Sequence, residues 1–199
     1  MLRPHHIKYF DKRPFKKLID NIIELAPEVN VGEIYSDEED ISHIRDSNIS
    51  WILPPGSIKE DSDEYNADLE QKREEVFKLI SELGSACNFT NPDTPNEPGW
   101  EFELETVEPL QYTVYDGEKN QHYDWHFDHH SALGQPLEED VRKISFSIML
   151  NRPNVDFEGG ELEFELHGPG SDERTAIHEL KYGDAVFFPS YTWHRVKPV

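Results

Sequence analysis

Lys143-Ile-Ser-Phe-Ser-Ile-Met-Leu150 puts Ile144, Phe146, Ile148 and Leu150 on one side of an extended chain and Lys143, Ser145 and Ser147 on the other. Successive side chains of a strand point to opposite faces, so this stretch reads as a half-buried β-strand. The same period recurs on both sides of it. Residues 100–107 alternate through Phe102 and Leu104 with acids between. Residues 110–115, 121–128, 161–166 (after Gly159-Gly160), 185–188 (after Gly183-Asp184) and 192–196 give further short runs. Many short strands separated by turn signals predict a β-sandwich or jelly roll.

Upstream the period changes from two to that of a helix. Phe15, Leu18, Ile19, Ile22 and Ile23 recur at helical spacing, Pro14 suits a first turn and Pro27 ends the run. A second helix is expected from about Asn66 to Cys87, with Leu69, Val76, Phe77, Ile80 and Leu83 as its apolar stripe. Between the two helices, residues 50–53 read as a short strand stopped by Pro54-Pro55-Gly56, and residues 33–40 and 91–99 read as loops. The expected organisation is a single domain over residues 1–199. Residues 1–99 make a helix-rich layer with acidic loops, packed on one sheet of a β core formed by residues 100–199.

The chain has 199 residues, 36% hydrophobic and 12% aromatic, and a net charge of −22. Six cations against Asp11 give residues 1–17 a charge of +5, so residues 18–199 carry −27. Such a body repels phosphate backbones, which argues against a nucleic-acid partner and favours a neutral or basic one. The lone cysteine, Cys87, suits packing in a reducing compartment. The start Met1-Leu-Arg-Pro-His-His has no apolar signal core, and no apolar run reaches membrane-spanning length. A cytoplasmic protein without a membrane partner is the expectation.

His126-Phe-Asp128, followed by His194, supplies two imidazoles and a carboxylate. Such a set can occupy one face of a metal octahedron and leave three adjacent positions open, as in non-heme Fe(II) oxygenases. His122-Tyr-Asp124 has the same spacing, and on a regular strand all four residues share a face. Spacing alone does not choose between the pairs.

Leu110-Gln-Tyr-Thr-Val-Tyr115, Gly117 and Tyr123-Asp-Trp-His126-Phe-Asp128 resemble the iron-binding region of prolyl 4-hydroxylase-like Fe(II)/2-oxoglutarate dioxygenases of the bacterial and phage type. The likeness continues in order through Arg142-Lys-Ile-Ser-Phe-Ser-Ile-Met-Leu150, Glu158-Gly-Gly-Glu-Leu-Glu-Phe164, Gly183-Asp-Ala-Val-Phe-Phe-Pro189 and His194-Arg-Val-Lys-Pro-Val199, with a weaker echo over residues 45–52. The resemblance implies a double-stranded β-helix. It also implies Fe(II) as metal, 2-oxoglutarate as cosubstrate and ascorbate as an accessory reductant. The family's motif tyrosine stands three residues before its first iron histidine, and Tyr123 fits that place. His126, Asp128 and His194 are therefore the implied ligands. Tyr115 is the implied phenol donor to the cosubstrate, and Tyr123 and Trp193 are implied walls of the substrate pocket. Related halogenases lack the carboxylate, so Asp128 implies hydroxylation. The implied substrate is a prolyl residue of a peptide or protein.

One departure stands out. The family anchors the distal carboxylate of 2-oxoglutarate with an Arg or Lys beyond the last histidine, and Arg195 and Lys197 have the wrong strand parity to reach inward. The expectation is a further strand beyond Val199 that carries such a cation, the β core of residues 100–199 being truncated at its C-terminal end. Lys143 is the fallback, because it shares a strand face with Ser145 and Ser147. Two other functions fit the same residues: oxidation of a free amino acid or small metabolite, and a non-catalytic jelly-roll binding module with a vestigial metal site.

Overall fold

The computed structural model describes residues 12–31, 44–90, 96, 98–128, 142–165, 175–178 and 180–199, with backbone alone for residues 12–15 and 175–178. The acidic segment 33–40, residues 91–95, and His129, His130 and His167 lie outside the described residues.

Helix α1 spans Lys12–Leu25 and α2 spans Ala67–Phe89. The start of α2 is fixed by Asn66, whose side-chain oxygen accepts from the amides of Asp68 and Leu69 at 3.0 and 3.2 Å. Asp68 and Glu70 add negative charge where the helix dipole favours it. Leu18, Ile22 and Leu25 of α1 meet Val76, Phe77 and Ile80 of α2 in one core. Ile23, expected in that stripe, is half exposed.

Among the described residues ten strands follow the chain order: β1 (Asn30–Val31), β2 (Arg45–Asp46), β3 (Asn48–Ile52), β4 (Leu110–Val114), β5 (His122–His126), β6 (Ile144–Ile148), β7 (Leu162–Glu165), β8 (Thr175–His178), β9 (Ala185–Pro189) and β10 (His194–Val196). They pair as a five-stranded sheet β2-β5-β10-β7-β8, a three-stranded sheet β1-β3-β4 and a two-stranded sheet β6-β9, with every paired strand antiparallel. This is the double-stranded β-helix that the strand pattern and the resemblance imply. The helices cover one face of the smaller sheets, because Ile52, Leu110, Phe146, Ile148 and Leu150 pack into the helical core.

Alternation shows how the layers are stacked. In β9, Ala185 and Phe187 join Cys87 and Trp100 beneath the helices. Val186 and Phe188 point the other way, onto Leu162, Phe164 and Leu180 between the sheets. In β6 the apolar residues likewise face the helices, so Ser145 and Ser147 face the interior by the same alternation.

Residues 100–107 are not the expected strand. Glu101 takes a positive φ of 57°, which breaks an extended run. Buried Asn88 at the end of α2 clamps the segment instead: its side chain accepts from the Phe102 amide and donates to the Phe102 carbonyl, both at 2.8 Å. A Cβ at Gly99 would sit 2.3 Å from the Asn88 carbonyl oxygen, so only glycine permits this approach. Strands β1, β2 and β8 were not anticipated from the alternation. No helix among the described residues is long and apolar enough to cross a membrane.

Candidate metal centre

Strand β10 pairs with β5 so that His194 lies opposite His126, but Val196 lies opposite Tyr123. Two steps on β10 therefore match three on β5, and Asp124 and Trp125 together oppose Arg195. This is a β-bulge. Regular alternation would put Tyr123 and His126 on opposite faces. With the bulge they share one, and their rings stack with centroids 3.5 Å apart and planes 9° from parallel.

The bulge also overturns the reading that His122, Asp124, His126 and Asp128 share a face. Asp124 turns toward Arg195, at 3.9 Å, while Arg195 donates to Glu163 at 2.5 Å and lies over the Trp125 ring. Arg195 thus points away from the histidines, as its parity requires, and Lys197 pairs with Glu161 at 3.2 Å.

His126, Asp128 and His194 converge. Nε2 of His126 is 3.7 Å from one Asp128 oxygen, and Nε2 of His194 is 3.8 Å from the other. The three donor atoms lie within 4.8 Å of one another, the one such group among the described residues. Asp128 is placed by its amide, which donates to the Ser190 carbonyl at 2.8 Å across the β9–β10 turn. Phe188 and Phe164 pack beside the His194 ring, which is buried.

The donor set fits a divalent metal. Nδ1 of His126 lies 2.7 Å from the Asp124 carbonyl oxygen, and Nδ1 of His194 lies 2.8 Å from that of Thr192. A carbonyl only accepts, so each Nδ1 carries the proton and each Nε2 keeps its lone pair free toward the centre. Burial pushes His126 down to about 4, helped by the facing His194, and burial also lowers His194. Both rings are neutral near pH 7, the form that ligates.

The other sequence candidates fall at different places. Burial raises the Tyr115 phenol above its ordinary value; the Arg45 guanidinium opposes the shift, and Tyr123 and Asp128 add to it, which puts Tyr115 in the electrostatic field of the cluster. Burial also raises Tyr123. Ser147 shares the interior-facing side of β6 with Ser145, whose hydroxyl bonds that of Ser190 at 3.1 Å. Lys143 is exposed at the entry to β6, and its carbonyl accepts from the Ser190 amide. Trp193 packs edge-on against Phe127 at 5.0 Å, and both rings are about 40% exposed, so this pair forms a surface patch beside the ligands.

Three charged residues escaped the sequence reading. Arg142 donates to both oxygens of Glu108, at 2.6 and 3.2 Å, and its other nitrogen stands 4.0 Å from Asp128. Arg45, almost fully buried, lies over the Tyr123 ring at 4.6 Å. Isolated polar residues carry no period, so only the order of residues around Arg142 and the weak echo over 45–52 hinted at them.

Residues 110–199 match the model of the 2OG-Fe(II) oxygenase superfamily. The matched region resembles a 2OG-Fe(II) oxygenase domain and contains His126, Asp128 and His194. Among solved structures the chain is similar to a prolyl-4-hydroxylase from Pseudomonas putida, at 20% identity and a TM-score of 0.60, over 98% of this chain and 84% of that one. That likeness bears on the fold. No curated protein matches the chain.

Proposed function

We propose that His126, Asp128 and His194 hold Fe(II), and that the protein hydroxylates a prolyl residue of a peptide or protein substrate with 2-oxoglutarate as cosubstrate. The observation that carries this reading is the convergence of two free Nε2 lone pairs and one carboxylate. Bound Fe(II) would supply the redox chemistry that couples dioxygen and the breakdown of 2-oxoglutarate to succinate and carbon dioxide with hydroxylation of a C–H bond.

The chain's own groups do the rest. A one-face triad leaves adjacent positions open for the keto acid and dioxygen. Glu108 and Arg142 hold Asp128 in place. Tyr115, kept protonated by burial, donates a hydrogen bond to the cosubstrate, and Ser147 offers a hydroxyl from the opposite strand. Phe164 and Phe188 keep water from the back of His194. Tyr123 walls the substrate side, with Trp193 at the rim. Ascorbate serves as accessory reductant, and the location is cytoplasmic. The helical layer and the barrel act as one domain, supported by a hydrophobic core built from α1, α2, β3, β4 and β6 together.

Titration of the apoprotein with Fe(II) under anaerobic conditions, followed by a succinate assay with 2-oxoglutarate and a proline-containing peptide, tests the reading. His126→Ala should abolish metal binding and succinate formation, while His122→Ala should spare both. Equal losses in the two variants would overturn the ligand assignment. Succinate formed with no oxygen-atom mass gain on any peptide, but with one on a free amino acid, would move the substrate to the small-metabolite class.

A further inference from the structure

We infer that Arg45 is a positioning residue for the metal centre: through Tyr123 it fixes the ring plane of His126. This rests on the reading of His126 as a ligand.

An imidazole ligand must be fixed in two respects. The bond from Nδ1 to the Asp124 carbonyl sets the direction in which Nε2 points. It leaves the ring free to tip about the line of that bond. The stack of Tyr123 on His126, at 3.5 Å and 9°, removes this second freedom, because tipping would lift the imidazole off the phenol or drive it into the ring. The facing His194 ring is tilted by 53° and cannot do the same work.

Tyr123 then needs its own support, and Arg45 provides it. The two residues are register partners across β2 and β5. The guanidinium carbon lies 4.6 Å above the phenol centroid, so Tyr123 is held between a cation and an imidazole. The guanidinium is itself pinned at two nitrogens. Nε donates to the Ser47 hydroxyl at 2.9 Å, and Nη2 donates to the Gln111 side-chain oxygen at 2.7 Å. Gln111 belongs to β4, in the other sheet. A cation over an aromatic face gains most where water is excluded, and Arg45 is 6% exposed. The column Arg45–Tyr123–His126 thus transmits the separation of the two sheets to the orientation of one ligand.

A residue that merely filled space could be replaced by methionine without effect on the metal. Groups that orient a ligand typically change metal affinity 10- to 100-fold when removed. Co(II) is the probe, since its visible absorption reports ligand orientation as well as occupancy. The full chain, freed of metal, is titrated anaerobically with Co(II), and thermal melts confirm that each variant is folded. Arg45→Met should weaken Co(II) binding by about 10-fold or more and shift its visible band, and Arg45→Lys should fall between it and the parent. Tyr123→Phe, which keeps the stack, should retain the parental affinity, whereas Tyr123→Leu should lose it as Arg45→Met does. If Arg45→Met does not fold, Gln111→Leu releases Nη2 and should produce a smaller change of the same kind. Parental affinity and spectrum in a folded Arg45→Met or Gln111→Leu chain would overturn the inference while leaving the ligand assignment intact. Failure of the parent chain to bind Co(II) would remove both.

Discussion

Strands β5 and β9 lie in the same barrel and divide its work. Every residue of β9 is buried, its register with β6 is unbroken from Ile144↔Pro189 to Ile148↔Ala185, and each of its faces feeds a different core. Strand β5 is only partly buried and carries a bulge. Yet β5 supplies His126 and the run to Asp128, and β9 supplies none of the converging donors. Regular pairing makes β9 a frame because both of its faces are already committed to packing. The extra residue in β5 breaks the alternation and brings Tyr123 and His126 to one side, which two-residue periodicity forbids. The converging donors sit where the regular pattern is broken, and the packing around them holds that break in one place.

The largest effect expected from this contrast is loss of chemistry without loss of fold. Asp128→Ala removes a side chain whose neighbours are the two histidines and Arg142, while the backbone bond from residue 128 to Ser190 remains. Turnover to succinate should vanish and Fe(II) affinity should fall, with the melting temperature nearly unchanged. Full succinate output from that variant would remove Asp128 from the ligand set.

The converse should hold in β9. Phe187 is fully buried and stacks on Phe146 at 5.4 Å. Phe187→Ala should cost about 3–5 kcal/mol of stability through the cavity it leaves. Metal affinity of the folded fraction should not change, because Phe187 faces the helices rather than the ligands. Chemical denaturation in parallel with Co(II) titration separates the two effects, and a loss of metal affinity without loss of stability would break the contrast.

A smaller effect belongs to the clamp on residues 100–102. Asn88→Ala leaves the part-buried Phe102 amide and carbonyl without their side-chain partner, a cost of about 1 kcal/mol. An unfolding midpoint equal to that of the parent would show that water replaces the clamp.

These elements also show what a sequence can carry. Strands β6 and β9 were legible because burial on one or two faces is written directly into side-chain period. Helix α2 was legible from its apolar stripe and from Asn66 at its start. The segment 100–107 was not, since alternating acids imitate a strand while the decisive facts, Asn88 and the close approach at Gly99, lie elsewhere in the chain. The convergence of the second His-x-Asp pair with His194 was legible only through the position of Tyr123. The bulge behind it arises from pairing with β10, far along the chain, and leaves no trace in local spacing. Arg45, Glu108 and Arg142 stayed hidden for the same reason: each is defined by partners distant in sequence.

The smallest effect concerns the surface rather than either strand. Residues 18–199 carry −27, and the cations nearest the ligands are already engaged, Arg142 with Glu108 and Asp128, and Arg45 with Ser47, Gln111 and Tyr123. If the substrate is the proposed peptide, it approaches a protein whose net charge is strongly negative. On the proposed function, basic residues flanking the target proline should lower KM by a few-fold at low salt, and acidic ones should raise it, while kcat stays the same because the flanks do not touch the reacting bond. At 0.1 M salt the field decays over about 10 Å, so the two peptides should converge as ionic strength rises. Turnover of matched basic and acidic peptides across a salt series measures this. A preference for the acidic peptide at low salt would mean that local contacts at the rim, not the charge of the body, select the substrate.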